Sequence, residues 1–193
     1  MSFGSYNFSA SRSDSSKICR KVFISYHHAD QDEVQKFIDV FDHEHNVFIR
    51  RALGVDIAND IVNSTDTSYV MRRIREGYLK DSTVTIVLIG KCTWARRYID
   101  WEIQASLRQG ETVTPNGLIG IVLPSAGKNP TPPNRLSLNL LGTNGDEGYA
   151  RYYWYPSRKD LLVNWIEDAF QARTQRANLI ANPRERFFYN KAC

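Results

Sequence analysis

Short apolar runs alternate with stretches of helical period along most of this chain, and that alternation leaves few folds open. The strongest run is Thr83-Val84-Thr85-Ile86-Val87-Leu88-Ile89-Gly90. Its core is continuously apolar rather than apolar at every second residue, the pattern of a strand covered on both faces. Lys21 to Tyr26, Val47 to Ile49, Leu118 to Leu123 and Arg151 to Tyr155 read as further strands, the last a candidate for a sheet edge. Val34, Phe37, Ile38 and Phe41 recur at i, i+3, i+4 and i+7 and predict a helix after the first strand. Asp30 stands where that helix needs an N-cap. Ser68 to Tyr78 and Trp94 to Arg108 predict a second and a third helix, the third closed by Gly110. A last helix begins at Ser157, with Asp160 three residues on as an acidic capping box. Strands and helices in alternation imply an α/β fold, an open parallel sheet of about five strands with helices on both faces.

The 193 residues suit one domain, and the reading divides them into an arm at 1–18, a domain at 19–175 and a tail at 176–193. Phe3, Tyr6 and Phe8 allow the arm to act as a strap. Phe187, Phe188 and Tyr189 allow the tail to pack back on the domain or to meet a partner. The charge of +4 is spread over short groups such as Arg50-Arg51, Arg72-Arg73 and Arg96-Arg97. A nucleic-acid binder would gather its cations into one stripe, so no nucleic acid is expected as partner. Cys19, Cys92 and Cys193 are odd in number and form no CxxC pair, which argues against a disulfide scaffold or a zinc site. His43 and His45 have no third ligand near them, so no metal is expected. No run of about 18 apolar residues occurs, and the Ser-rich start has no signal-peptide core, so a cytoplasmic protein without a membrane partner is expected.

In parallel sheets of this kind ligands sit beyond the carboxyl ends of the strands, where the strand order reverses. That places Ser25 to Asp30, the stretch 50–67 and the start of the third helix around one crevice. Glu102 is the candidate of first interest. It shares a helix face with Tyr98, Trp101 and Ala105, and a carboxylate on an apolar face is costly unless it is paired or opens into a cleft. Ion pairing and a pocket role with a raised pKa are both open on the sequence. Ser25, Tyr26, His27 and Asp30 follow the first strand. Tyr26, Tyr69 and Trp101 can stack on a base or pack in the core, and Arg50 or Arg51 can hold a pyrophosphate or form a surface ion pair. The chain has no GxGxxG, no GxxxxGK[ST] and no glycine elbow around a serine, which disfavours a dinucleotide dehydrogenase, a P-loop enzyme and a hydrolase triad.

Phe23-Ile24-Ser25-Tyr26 resembles the first conserved box of TIR domains. The strand at 83–90, followed by Thr93 and by Tyr98-Ile99-Asp100-Trp101-Glu102-Ile103, is similar to the strand and third helix of the same family. Trp-Glu-Ile after a strand ending in Ile-Gly is closest to the TIR-like proteins of bacterial defence, the Thoeris anti-phage system in particular. The resemblance covers about residues 20–125; Tyr98 stands where many TIR domains have Trp. It implies a flavodoxin-like, TIR-like sheet and an enzyme that cleaves NAD+ between nicotinamide and ribose, with Glu102 catalytic. Ser25, Tyr26, His27, Asp30, Arg50, Tyr69, Tyr98 and Trp101 would then contact the substrate. It also implies NAD+ as substrate with no separate cofactor, a cyclic ADP-ribose-type product that reaches a separate effector by diffusion, and self-association, as in a homodimer. A non-catalytic interaction module of the same family is the alternative.

Overall fold

The computed structural model describes residues 19–44, 48–51, 66–141 and 146–193. Five strands form one parallel sheet: β1 Arg20–Tyr26, β2 Phe48–Arg51, β3 Val84–Ile89, β4 Gly117–Val122 and β5 Arg151–Trp154. Their order is β2-β1-β3-β4-β5, and every neighbouring pair is parallel. The expected open α/β sheet is therefore present, and β5 is its edge. The helices are α1 Gln31–Ile38, α2 Thr67–Arg73, α3 Arg97–Ser106, α4 Asn134–Ser137 and α5 Lys159–Gln175. Both α1 and α2 continue into a wider π-type turn, Asp39–Glu44 and Ile74–Leu79.

Period two in β1 sorts its side chains between the two faces. Val22 and Ile24 pack with Val34, Phe37 and Ile38 of α1 and with Leu162, Ile166 and Ala169 of α5. Phe23 goes the other way, into a cluster with Val70 and Met71 of α2, Ile74, and Trp101 and Ala105 of α3. Ser25 follows Phe23 by two residues and shares its face. On that side Val87 and Ile89 of β3 meet Ile99, Ile103 and Leu107. Helix α3 thus buries two stripes. The one expected from the sequence, Tyr98, Trp101 and Ala105, faces α2, while Ile99, Ile103 and Leu107 face the sheet. Glu102 lies between the two.

Gly117 marks the closest approach of helix to sheet. A methyl group there would run into the backbone carbonyl of Ala169 in α5, and a backbone cannot rotate out of the way. At Gly120 the nearest atom is the end of the Leu136 side chain, at 2.6 Å from a Cβ. Gly117→Ala is therefore expected to destabilise the fold by about 2 kcal/mol or more, and Gly120→Ala by less. Urea unfolding of the two variants checks the order.

The tail crosses the outer side of α3. Asn182 Nδ2 donates to the carbonyl of Gln104 (3.1 Å), and Trp101 Nε1 donates to the carbonyl of Phe187 (2.9 Å). Lys191 N donates to the carbonyl of Ala95, which brings Cys193 beside Cys92, and the two form a disulfide. This corrects the expectation drawn from the cysteines. The partners are 101 residues apart, and only the return of the tail over α3 brings them together. Phe187 is half-buried, while Phe188 and Tyr189 are exposed. Ser157 does not cap α5: the cap position is Arg158, whose guanidinium pairs with Asp160 at 2.7 Å. No described helix is long and apolar enough to cross a membrane, and no group of metal-binding side chains occurs among the described residues. The arm at 1–18, His45 and most of the 50–67 stretch lie outside the described residues.

Candidate functional site

In a sheet of order 2-1-3-4-5 the connections leave in opposite directions between β1 and β3, and a crevice opens at the carboxyl ends of those two strands. β1 supplies Ser25 to this point, and β3 supplies the turn that leads into α3. Ser25 is fully buried and donates its hydroxyl to Glu102 Oε2 at 2.6 Å. Glu102 is itself 4% exposed. Among the described residues no cation pairs with it, and Ser25 is its one side-chain hydrogen-bond partner. Of the two alternatives for Glu102, the described residues favour the buried pocket carboxyl over the ion pair. Burial without a cation disfavours the ionised form, and the Ser25 hydroxyl only partly offsets this. The Glu102 carboxyl is pushed up from 4.5 to about 7.

That shift has a sign that stability can read. The folded protein holds the proton of Glu102 more tightly than the unfolded chain does. The carboxyl therefore contributes no penalty below about pH 4.5, and the penalty grows to its full size as pH rises through 7. It amounts to about 3 kcal/mol. Wild-type stability is expected to fall from pH 5 to pH 8 relative to Glu102→Gln, which carries no such proton. Parallel urea titrations of the two proteins at both pH values check this.

The second half of the site joins the start of α1 to the end of β3. Asp30 occupies the N-cap position of α1, but its side chain makes no capping hydrogen bond. Its carboxylate instead lies against Gly90 and accepts from Thr93 Oγ1 at 3.4 Å, and Thr93 Oγ1 accepts from Gly90 N at 2.9 Å. Any side chain at position 90 would occupy the place of the Asp30 carboxylate. Burial raises the pKa of Asp30, and the hydrogen bond from Thr93 opposes that rise. His27 stands beside it, with its pKa lowered to about 4 by burial and by the nearby His28 and Arg96. At neutral pH its imidazole is uncharged. Two carboxyl groups and a neutral imidazole thus come from the elements that meet beyond the carboxyl ends of β1 and β3. Thr93 and Gly90 completed it without being among the predicted site residues; a glycine immediately after the central strand was the signal for them.

The other sequence candidates separate. Tyr26 is half-buried against the α1 face, and its hydroxyl donates to Gln31 Oε1 at 2.7 Å. Trp101, 5% exposed, is packed among Phe23, Val70 and Ile74, and its indole N–H is taken by the tail. Trp101 is thus a core residue here rather than an open stacking platform. Tyr98 and Tyr69 flank the same cluster, with Tyr98 edge-on to Trp101 at 5.4 Å and the Arg97 guanidinium over both rings. Arg50 is opposite Val22 in the β1–β2 ladder, and its side chain lies outside the described residues.

Comparison with known proteins agrees with this geometry. Residues 23–128 match the family described as "Thoeris protein ThsB, TIR-like domain". The matched region begins in β1 and contains Ser25, Asp30, Gly90, Thr93 and Glu102. A curated protein of Bacillus cereus (strain MSX-D12), named "Putative cyclic ADP-D-ribose synthase ThsB1", is 32% identical over 106 residues, covering 54% of this chain and 52% of that protein. The chain spans about half the length of that relative. With its 2-1-3-4-5 sheet and a matched region that covers more than half of it, the chain belongs to the ThsB TIR-like domain family of Thoeris proteins.

Proposed function

We propose that this protein cleaves NAD+ at the nicotinamide–ribose bond and converts it to a cyclic ADP-ribose-type signal for a separate effector in anti-phage defence. The observation that carries the reading is the buried Ser25–Glu102 pair at the β1–β3 switch point. A carboxyl group held out of water, without a cation, is poised to meet a cationic substrate. The name of the Bacillus cereus relative, "Putative cyclic ADP-D-ribose synthase ThsB1", supports the same chemistry.

The reaction asks little of the protein beyond electrostatics and exclusion of water. The C1′–N bond of the ribosyl pyridinium breaks, its electron pair goes to nitrogen, and nicotinamide leaves as a neutral molecule that needs no general acid. Positive charge develops on the ribose carbon, as in glycoside cleavage. Approach of the pyridinium lowers the pKa of Glu102 and favours its ionised form. The carboxylate then stabilises the oxocarbenium-like centre and can hold ribose hydroxyls, with Ser25 keeping it in place. Attack on that carbon by a group of the same substrate closes a ring, whereas attack by water gives linear ADP-ribose. Neutral His27 and the Asp30–Thr93 pair, which follow β1 and β3, supply polar contacts for the substrate in this reading.

The exposed Phe188 and Tyr189, at 78% and 81%, favour a second reading as a non-catalytic interaction module. Mass spectrometry of lysates from cells expressing the protein, with and without phage challenge, separates the two. A new ion at the mass of cyclic ADP-ribose supports the enzyme. Unchanged NAD+ and no such ion under every condition, with the protein folded, leaves the interaction module.

A further inference from the structure

Away from Glu102, at the far end of α3, a cavity of about 470 Å³ is lined by Arg75, Arg108, Arg184 and Arg186 together with Gln104 and Asn182. Among the described residues its lining thus holds four arginines and no acid. Among the described residues, none of the four guanidinium groups forms an ion pair or donates a side-chain hydrogen bond. A neighbouring cavity of about 350 Å³ shares Arg75 and Arg108 and adds Lys80 and Arg173, again with no carboxylate among its described lining residues. The crowding is visible in Arg75, whose pKa is lowered by burial and by Arg108, Arg186 and Arg72, with the adjacent Glu76 opposing them.

The tail makes this arrangement. Arg184 and Arg186 line the cavity, while Glu185 between them lines a different one with Asp100 and Arg135, which Arg186 also borders. The backbone that carries them is fixed: Gln104 Nε2 donates to the carbonyls of Pro183 and Arg184 (3.1 and 3.3 Å), and Arg135 donates to those of Pro183 and Glu185. The negative end of the α3 dipole accounts for one cation there, Arg108, but not for four. Like charges gathered in a concave site without counter-charges repel one another, and a multiply charged anion removes that repulsion. Guanidinium forks match phosphate oxygens in pairs, and the volume is that of a small-molecule site.

We propose that this cavity binds a diphosphate-bearing small molecule at a site distinct from the Glu102 crevice. Arg108 lies six residues beyond Glu102, just past the end of α3 at Ser106. Asn116 and Ser82, at the starts of β4 and β3, line the adjoining cavity and place it at the amino ends of the strands, opposite the crevice.

Calorimetric titration of the full chain with inorganic pyrophosphate and with ADP tests this. Saturable binding of one anion per chain is expected, weakening as salt rises. The double variant Arg108→Gln/Arg184→Gln replaces two exposed side chains and is expected to lose affinity about tenfold or more. Arg158→Gln, a surface change elsewhere, and Glu102→Gln are expected to bind as wild type does. Equal affinity for the two anions assigns recognition to the phosphates alone; tighter binding of ADP adds the nucleoside. No saturable binding of either anion overturns the proposal, as does binding that survives the double variant or is lost with Glu102→Gln. None of these readouts depends on NAD+ turnover, so the site and the proposed reaction stand or fall separately.

Discussion

Under the proposed reaction, Glu102→Gln is expected to lower production of the cyclic nucleotide at least about a hundredfold, in a protein that stays folded. Glutamine keeps the size of the side chain and can still pair with the Ser25 hydroxyl, so the packing between the two stripes of α3 is retained. What it removes is the negative charge, the one property the developing cation needs. A substitution to alanine would confuse this by leaving a void beside Ser25. Folding is checked independently through the pH dependence. At pH 5 the buried glutamic acid is protonated, and the two proteins should unfold at similar urea concentrations. At pH 8 the variant should be the more stable, by up to about 3 kcal/mol, because wild type then carries an unpaired buried charge. Lost turnover with equal or greater stability identifies a group that serves chemistry at the expense of the fold. Full turnover in the glutamine variant would remove Glu102 from the reaction and return the family's interaction role to first place.

The central strands were legible in the sequence because they are buried on both faces, and a short, continuous apolar run bounded by turn residues suits such a strand better than any surface element. Val22 to Ile24, Val84 to Ile89 and Leu118 to Val122 are all in place. Glu102 was legible for a related reason: an acid amid Tyr98, Trp101 and Ala105 conflicts with its surroundings, and such conflicts tend to mark function. Its link to Ser25 needed the fold, since the two are 77 residues apart. Asp30 shows the limit of local signals. Its position fits an N-cap, yet a hydroxyl and a glycine from the end of β3 draw its carboxylate elsewhere. The tail was the least legible part. It has no periodicity of its own, and its contacts, including the disulfide to Cys92 and the cover over Trp101, join groups roughly 80 to 100 residues apart in the chain.

The same tail depends on one side chain, and Arg135→Ala is expected to destabilise the protein by about 3–5 kcal/mol. Arg135 is 3% exposed. Its Nε and Nη2 donate to the two oxygens of the buried Asp100 at 2.9 and 3.3 Å. Its Nη1 donates to Asn182 Oδ1 at 3.0 Å and to the carbonyl of Pro183 at 2.7 Å, and Nη2 also reaches the carbonyl of Glu185. The guanidinium is therefore fully used, joining α4, α3 and the tail at one point. Removing it leaves Asp100 as a buried charge with, among the described residues, a single remaining donor to its side chain, the Phe187 amide at 3.2 Å. That loss outweighs anything gained from relaxing the surface, and it is large against a total stability of about 5–15 kcal/mol. Lysine cannot stand in, because one ammonium cannot span a carboxylate and three acceptors in a plane. Asp100→Asn combined with Arg135→Met should recover part of the stability, since it removes both charges together. The variant should also release the backbone at 182–187 to amide exchange, and with it Arg184 and Arg186. Pyrophosphate binding would then weaken while Ser25 and Glu102 remain in contact. A change below about 1 kcal/mol, with unaltered exchange in the tail, would show that the disulfide and the Gln104 contacts hold the segment without Arg135.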